Sequence, residues 1–429
     1  MRYDPVDPGL FKNNRRKFNQ YLQPGSVAVF HSNDVMPKTA DQFFPFKQNS
    51  DLFYLTGIDQ EETILVLAPD FPQENFREVL FILKTTEELA TWEGDKLTKE
   101  KAREISGIES IRWVEDFDKL FPVWMNHAKY CYLNANEHGR FNSPVRSRDN
   151  RFAGQIMEDY PMHNYHRSAP IMHRIRSIKS QQEIDLMQKA CDITANAFDK
   201  VLKFVEPGVG EYEIEAEITS EFIRNRSEGH AYDPIIASGK SACVLHYTEN
   251  KNICRDGELI LFDFGASWSN YAADMSRTIP VNGRFSERQK AVYNAVLRTF
   301  KEARNMLRPG ILLSEYQQEV GKMIEKELIN LKVLSKADVD NQDPENPLYK
   351  KYFMHGTSHF IGLDVHDVGN RYEPIRKGMA FTCEPGIYLP EEGIGIRLEN
   401  DIIVTDDEPI DLMKDIPIEP EEIEDKMNG

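Results

Sequence analysis

The sequence predicts an α+β protein of two domains, the second made of two similar α/β halves related by a pseudo-twofold. Three observations carry this expectation. At 429 residues the chain is too long for one small hydrophobic core. Up to about residue 172 it alternates strand-like and helix-like runs. From about residue 175 onward the order helix, Pro-Gly, helix, strands occurs twice, the mark of an internal duplication. The expected domains are therefore residues 1–172 and 173–429.

In the first domain, strands are expected at VAVF (27–30), DLFYLTG (51–57), TILVLAP (63–69), EVLFILK (78–84) and YCYLNAN (130–136). Each is a β-branched or aromatic run bounded by turn residues. Residues 86–105 are polar and compatible with helix. Together these give a mixed α/β domain.

The polar stretch HNYHRSAPIMHRIRSIKS then leads into a helix start, where Ser180 and Glu183 have the spacing of a capping box. Ile184, Met187, Cys191, Thr194, Phe198, Val201 and Val205 follow at three- and four-residue steps, up to a stop at Pro207-Gly208. A second helix is expected over about 212–225. Ser286 and Gln289 open the same pattern again, with Val292, Val296, Phe300 and Leu307 ahead of Pro309-Gly310 and a further helix over about 315–331. EPGVGEYEIEAEI and RPGILLSEYQQEV occupy matching places. The polar insert SKADVDNQDPENPLYKK (335–351) lengthens the second half and is expected to be an exposed loop. After about Asp411 the acidic tail is expected to be loosely ordered and solvated.

Lys and Arg number 52 against 70 Asp and Glu, a net charge of −18, which speaks against a nucleic-acid partner. The 5 cysteines form no C-x-x-C pair, so they read as reduced thiols and not as a disulfide framework. No apolar run reaches membrane-spanning length, and MRYDPVDPGLFKNNRRKF has no apolar core of a signal peptide. A cytoplasmic protein is expected.

Five polar side chains lie in apolar, strand-like sequence, where an unpaired charge is costly. They are Asp263, Asp274, His359, Glu384 and Glu399. In ELILFDFGASWSNYAADMSRT, alternation puts Leu259, Leu261 and Asp263 on one face of a strand, and Ala272, Asp274, Ser276 and Thr278 on one face of the next. With residues 267–270 as the hairpin loop, Asp263 stands opposite Asp274, their Cβ atoms about 4.5–5.5 Å apart. Like charges so placed need a cation between them; the alternative is one solvated aspartate on each strand. MAFTCEPG reads as a strand ending at Glu384, and GIGIRLENDIIV as a strand with Arg397 and Glu399 on one face. That pair could equally be a salt bridge without metal. His355 and His359 are four apart, yet Gly356, Thr357 and Ser358 between them are poor helix formers and no Glu follows His355. A zinc-protease helix is thus disfavoured, and His359 fits better as a ligand on a strand or loop, with His355 and His366 nearby. Four carboxylates and one imidazole make a hard donor set. It suits two divalent ions, Mn2+, Co2+ or Fe2+ ahead of Zn2+ and Mg2+. Two such ions about 3.5–4 Å apart support hydrolysis without choosing between an amide and a phosphate ester.

SGKSACVLHYTEN, LILFDFGASWSNYAADMSRT, HGTSHFIGLDVHDVG, MAFTCEPGIYL and GIGIRLENDIIVT, spread over most of residues 235–404, resemble the creatinase/aminopeptidase family, and within it the Xaa-Pro aminopeptidases (aminopeptidase P). DQFFPFKQNSDLFYLTGI and TEELATWEG resemble that family's N-terminal domain. The resemblance implies a C-terminal pita-bread fold behind a smaller creatinase-like domain. It implies that Asp263 binds one metal with both oxygens, that Asp274 and Glu399 bridge two, and that His359 and Glu384 complete the second. Glu384 is implied also to take a proton from water. His246 and His366 would orient substrate and stabilise the oxyanion, His355 would line a proline pocket, and Arg397 would support them. Read by itself, His246 in CVLHYT could equally be a structural histidine. The implied activity is release of an N-terminal residue ahead of proline. Prolidase, acting on Xaa-Pro dipeptides, is the alternative, and a non-catalytic binding protein of the same fold lies further off because all five ligand positions are present. A homodimer or homotetramer is implied, with Asp41 and Trp92 reaching towards a neighbouring subunit's site.

Overall fold

The computed structural model describes residues 3–135, 137–140 and 143–429, so Asn136, the end of the fifth expected strand, lies outside the described residues. The chain divides into two compact units, Tyr3–Arg176 and Ser177–Gly429.

The first unit is built on a six-stranded mixed sheet. Its order is Ser110–Trp113, Glu78–Ile82, Ile64–Leu67, Ser26–His31, Tyr130–Leu133, Asn164–Arg167. The two strands Ile64–Leu67 and Ser26–His31 pair antiparallel at its centre, and both read as continuous buried runs because helices cover the sheet. DLFYLTG departs from expectation. It is a helix, Ser50–Thr56, with the Asn49 side chain accepting from the Asp51 and Leu52 amides and Gly57 closing it at φ 68°. Leu52, Phe53, Tyr54 and Leu55 are all buried, so no exposed face was left to reveal a helical period.

In the second unit both capping boxes form. Ser180 and Glu183 start the helix Gln181–Phe204, and Ser286 and Gln289 start Glu287–Met306. Their partners are Glu211–Arg224 and Leu313–Asn330. The strands Ile235–Ser238, Leu259–Phe264 and Met275–Pro280 form one antiparallel sheet. In the second half the strands are Ala380–Cys383, Gly386–Leu389, Ile394–Arg397 and Asn400–Ile403. A bridge between Ser276 and Glu399 ties the two sets together.

Three expectations are corrected here. The hairpin turns at Ser269 and Asn270 alone, both left-handed at φ 52° and 63°, the geometry of a two-residue turn that matches strand twist. Asp263 therefore pairs with Ser276, two positions from Asp274. A shift of two keeps both aspartates on one face, as diagonal neighbours. The insert is exposed but not structureless, since it holds the helix Lys336–Asp340 and a turn at Leu348–Lys351. The tail is not loose: Leu412, Met413, Ile416 and Ile423 are buried, and Pro420–Asn428 is a helix. Tyr293 Oη donates to the Ile418 carbonyl at 2.8 Å, and Arg277 Nε to that of Pro417 at 2.8 Å. Among the described residues no helix is long and apolar enough to cross a membrane. All five cysteines are free thiols.

Candidate metal centre

The five candidate ligands come from five places in the second unit. Asp263 is the penultimate residue of its strand, and Asp274 immediately precedes Met275–Pro280. Gly265 lets the two strands close over them, since a Cβ there would lie 1.7 Å from the Ala273 carbonyl oxygen. His359 lies on the loop ahead of the Phe360–Phe381 bridge, and Glu384 directly follows Ala380–Cys383. GIGIRLENDIIV is two strands and not one. Glu399 occupies the break between Ile394–Arg397 and Asn400–Ile403, where the bridge to Ser276 turns it inward.

These side chains meet. Tyr232 Oη lies 2.6 Å from Asp263 Oδ1 and 2.6 Å from Asp274 Oδ1. His359 Nε2 is 3.4 Å from Asp274 Oδ2 and 3.6 Å from Glu384 Oε1. Ligand atoms of Asp274, His359 and Glu399 all lie within 4.8 Å of one another. Ser276 Oγ donates to Glu399 Oε2 at 2.6 Å, whereas Glu399 Oε1 is buried with no hydrogen-bond partner.

The Arg397 guanidinium pairs with Asp263 Oδ2 at 2.6 Å, and not with Glu399 as one sequence alternative had it. Its Nε donates to Ser276 Oγ at 2.8 Å and its Nη1 to Tyr388 Oη at 2.9 Å. Tyr388 Oη in turn meets His355 Nε2 at 2.8 Å, and His355 Nδ1 donates to the Gly356 carbonyl at 2.8 Å. Burial, with the Arg397 charge next, pushes the His355 imidazole down to about 3, so it is neutral at pH 7. His366 stands edge-on to His359, ring centroids 4.5 Å apart. His246 lies on an exposed loop.

This arrangement fits divalent cations. One arginine faces four carboxylates, and a buried carboxylate oxygen left without a donor is what an absent cation leaves behind. His359 Nδ1 donates to the Phe360 carbonyl at 3.0 Å, which turns the lone pair of Nε2 towards the acids, the tautomer a ligand needs. Without a cation the cluster resists ionising. Asp274 and Glu399 are raised well above the ordinary carboxylate range, and Glu384 is raised to about 7. Burial is the largest cause in each. Neighbouring carboxylates add to it, and for Glu384 His359 partly offsets it.

The sign of the pH dependence follows. Between about 4.5 and about 7 the folded, metal-free chain keeps a proton on Glu384 that the unfolded chain has released. Stability is therefore present below that window and is lost as pH rises through it. Thermal melts in chelator should show Tm falling across this range, and saturating manganese should abolish the fall. A metal-free Tm that is flat or rising there would refute the assignment.

Tyr232, Ser276 and Tyr388 were not singled out as site residues from the sequence. Ser276 was within reach, because alternation put it on the face of Asp274. Tyr232, 31 residues from Asp263, had no spacing to give it away.

Comparison with known proteins gives a consistent result. Residues 185–406 match metallopeptidase family M24, and residues 11–132 match the aminopeptidase P N-terminal domain. The chain is 34% identical to an Escherichia coli Xaa-Pro aminopeptidase, covering 96% of each. It is 33% identical to that of Haemophilus influenzae, covering 97% of each. The structure of Escherichia coli aminopeptidase P with the inhibitor Pro-Leu superposes with a TM-score of 0.89 at 32% identity, covering 99% of both chains.

Proposed function

Since the chain belongs to the aminopeptidase P family, an M24 metallopeptidase with the pita-bread fold behind its N-terminal domain, we propose that it hydrolyses the bond between an N-terminal residue and a following proline. It is a hydrolase, a metallo-exopeptidase. The observation that carries the reading is the meeting of Asp274, His359 and Glu399 ligand atoms within 4.8 Å of one another, with Glu384 beside His359 and Asp263 joined to Asp274 through Tyr232.

Those five residues would hold two divalent ions, manganese first, with cobalt, iron or zinc as alternatives. When bound, the ions supply Lewis acidity, making water a nucleophile at neutral pH and drawing charge off the attacked carbonyl. Glu384 is the general base in this proposal. Its carboxylate would take a proton from the attacking water and pass it on to the leaving secondary-amine nitrogen of proline. The free α-amine of the substrate is a cation, and the acidic lining suits it. His246 and His366 orient the scissile carbonyl and donate to its developing oxyanion. His355, neutral and in edge contact with Phe353 at 4.8 Å, offers an apolar wall for the proline ring. Arg397 holds Asp263 and, through Tyr388, His355.

The Pro-Leu inhibitor in the Escherichia coli structure supports recognition of proline beyond the scissile bond. Asp41, at the tip of an exposed hairpin, and Trp92, 81 % exposed, support the proposal of a homodimer or homotetramer in which they approach a neighbour. A cytoplasmic location belongs to the same reading.

A length series decides between this activity and the prolidase alternative. With manganese, Xaa-Pro-Yaa tripeptides should be cleaved with kcat/KM at least about tenfold above the Xaa-Pro dipeptide, a difference of about 1.4 kcal/mol. Preference for the dipeptide would mean a prolidase, and an Asp263→Asn variant as active as the native chain would reject metal-dependent hydrolysis.

A further inference from the structure

The loop that carries His246 runs from the strand Ile235–Ser238 to about residue 252 and holds a short helical turn, Gly239–Cys243, and a turn at Leu245 and His246. Its start, its end and the residue after His246 are all fastened to one carboxylate. This is Glu211, 0 % exposed and the first residue of the helix Glu211–Arg224. Glu211 Oε1 accepts from the Ser238 amide at 2.7 Å and the Ser238 hydroxyl at 2.7 Å. Glu211 Oε2 accepts from Tyr247 Oη at 2.8 Å and the Asn252 amide at 2.9 Å. The Asn252 side chain then donates to Tyr247 Oη at 2.7 Å and to Ser241 Oγ at 3.0 Å. An ionised carboxylate accepts about four hydrogen bonds and donates none, so these donors fill it. Its place at a helix N-terminus favours the negative charge.

The connection reaches the candidate centre. The Tyr247 ring packs in one apolar cluster with Ile235, Leu261 and Tyr388, and the Tyr388 hydroxyl is the one that meets His355 and Arg397. His246 itself is exposed, whereas Tyr247 beside it is 8 % exposed. An exposed histidine on an irregular loop has no packing of its own to fix its direction; its neighbour's anchorage supplies that.

We infer that Glu211 is a positioning residue for the reaction, fixing the loop through Ser238, Tyr247 and Asn252 so that His246 is presented to the substrate in one orientation. This rests on the role given to His246 above. A carboxylate that merely stapled helix to sheet would affect activity in the same way whether or not His246 were present.

A double-mutant cycle on the full-length, manganese-loaded enzyme separates the two, with kcat/KM on an Xaa-Pro-Yaa tripeptide as the readout. Glu211→Ala should lower kcat/KM about 100-fold in the native background, the cost of misplacing an active-site group by about 1 Å. In a His246→Ala background it should cost no more than about threefold, with metal content unchanged in both. Glu211→Gln, which keeps two of the acceptor sites, should recover part of the loss. Equal losses in the two backgrounds, or no loss in the native one, overturn the inference alone. A native rate for His246→Ala overturns the role of that histidine and this inference with it. Where Glu211→Ala does not fold, Tyr247→Phe runs the same cycle, with a loss of about tenfold expected only when His246 is present.

Discussion

Replacing Glu384 by glutamine should lower kcat by about 10²–10⁴-fold while leaving KM nearly unchanged. Glutamine keeps the length and one oxygen of the glutamate but is a weaker metal ligand, so with manganese saturating substrate should still bind. It cannot take up a proton, and proton transfer is a demand of the transition state alone. The same change should make the metal-free protein more stable at pH 7. In the native chain this carboxyl, 17 % exposed, is raised to about 7 chiefly by burial, so ionising it costs folding free energy that a neutral amide does not incur. Activity lost together with stability gained is a signature that misfolding cannot imitate. Steady-state kinetics, elemental analysis and a chelated thermal melt would test it. A kcat within about threefold of native would remove Glu384 from the chemistry.

How much of this was legible beforehand depended on whether a feature was local. The capping boxes at Ser180 and Ser286 were, because cap and partner lie three residues apart and the helices that follow have one apolar face. The acids were visible as charges in apolar sequence. Their register was not, because a two-residue Ser-Asn turn lacks the glycine that marks such hairpins. The side chains survived that error, since a slip of two preserves the face while a slip of one would have reversed it. The strand assignment at DLFYLTG failed for want of periodicity, and the tail because its few apolar residues, Ile416 and Ile423 among them, were outweighed by surrounding acids. Tyr232, the contact of Tyr388 with His355 and the break at Glu399 were beyond reach, because each is defined by a contact with a distant part of the chain.

Arg397→Met should destabilise the metal-free protein by about 3–5 kcal/mol, the usual cost of removing one partner from a buried ion pair. The side chains of Arg397 and Asp263 are 5 % and 16 % exposed, and the guanidinium is shared among Asp263, Ser276 and Tyr388. Methionine fills the volume but leaves the Asp263 carboxylate without its counter-charge. Lysine would not replace it either, because one ammonium cannot span three acceptors set in a fork. A cation bound to Asp263 would supply much of the missing charge, so the cost should shrink when manganese is saturating. The variant is thus expected to be more dependent on metal for stability than the native chain, and by linkage to bind manganese more tightly, since a positive charge has left the cation site. Denaturant titrations of both proteins with chelator and with manganese give the four free energies needed. If the loss is the same in all conditions, Arg397 acts independently of the cations; if there is no loss in chelator, Asp263 does not depend on it. Either result would break the link drawn here between the arginine and the acidic cluster.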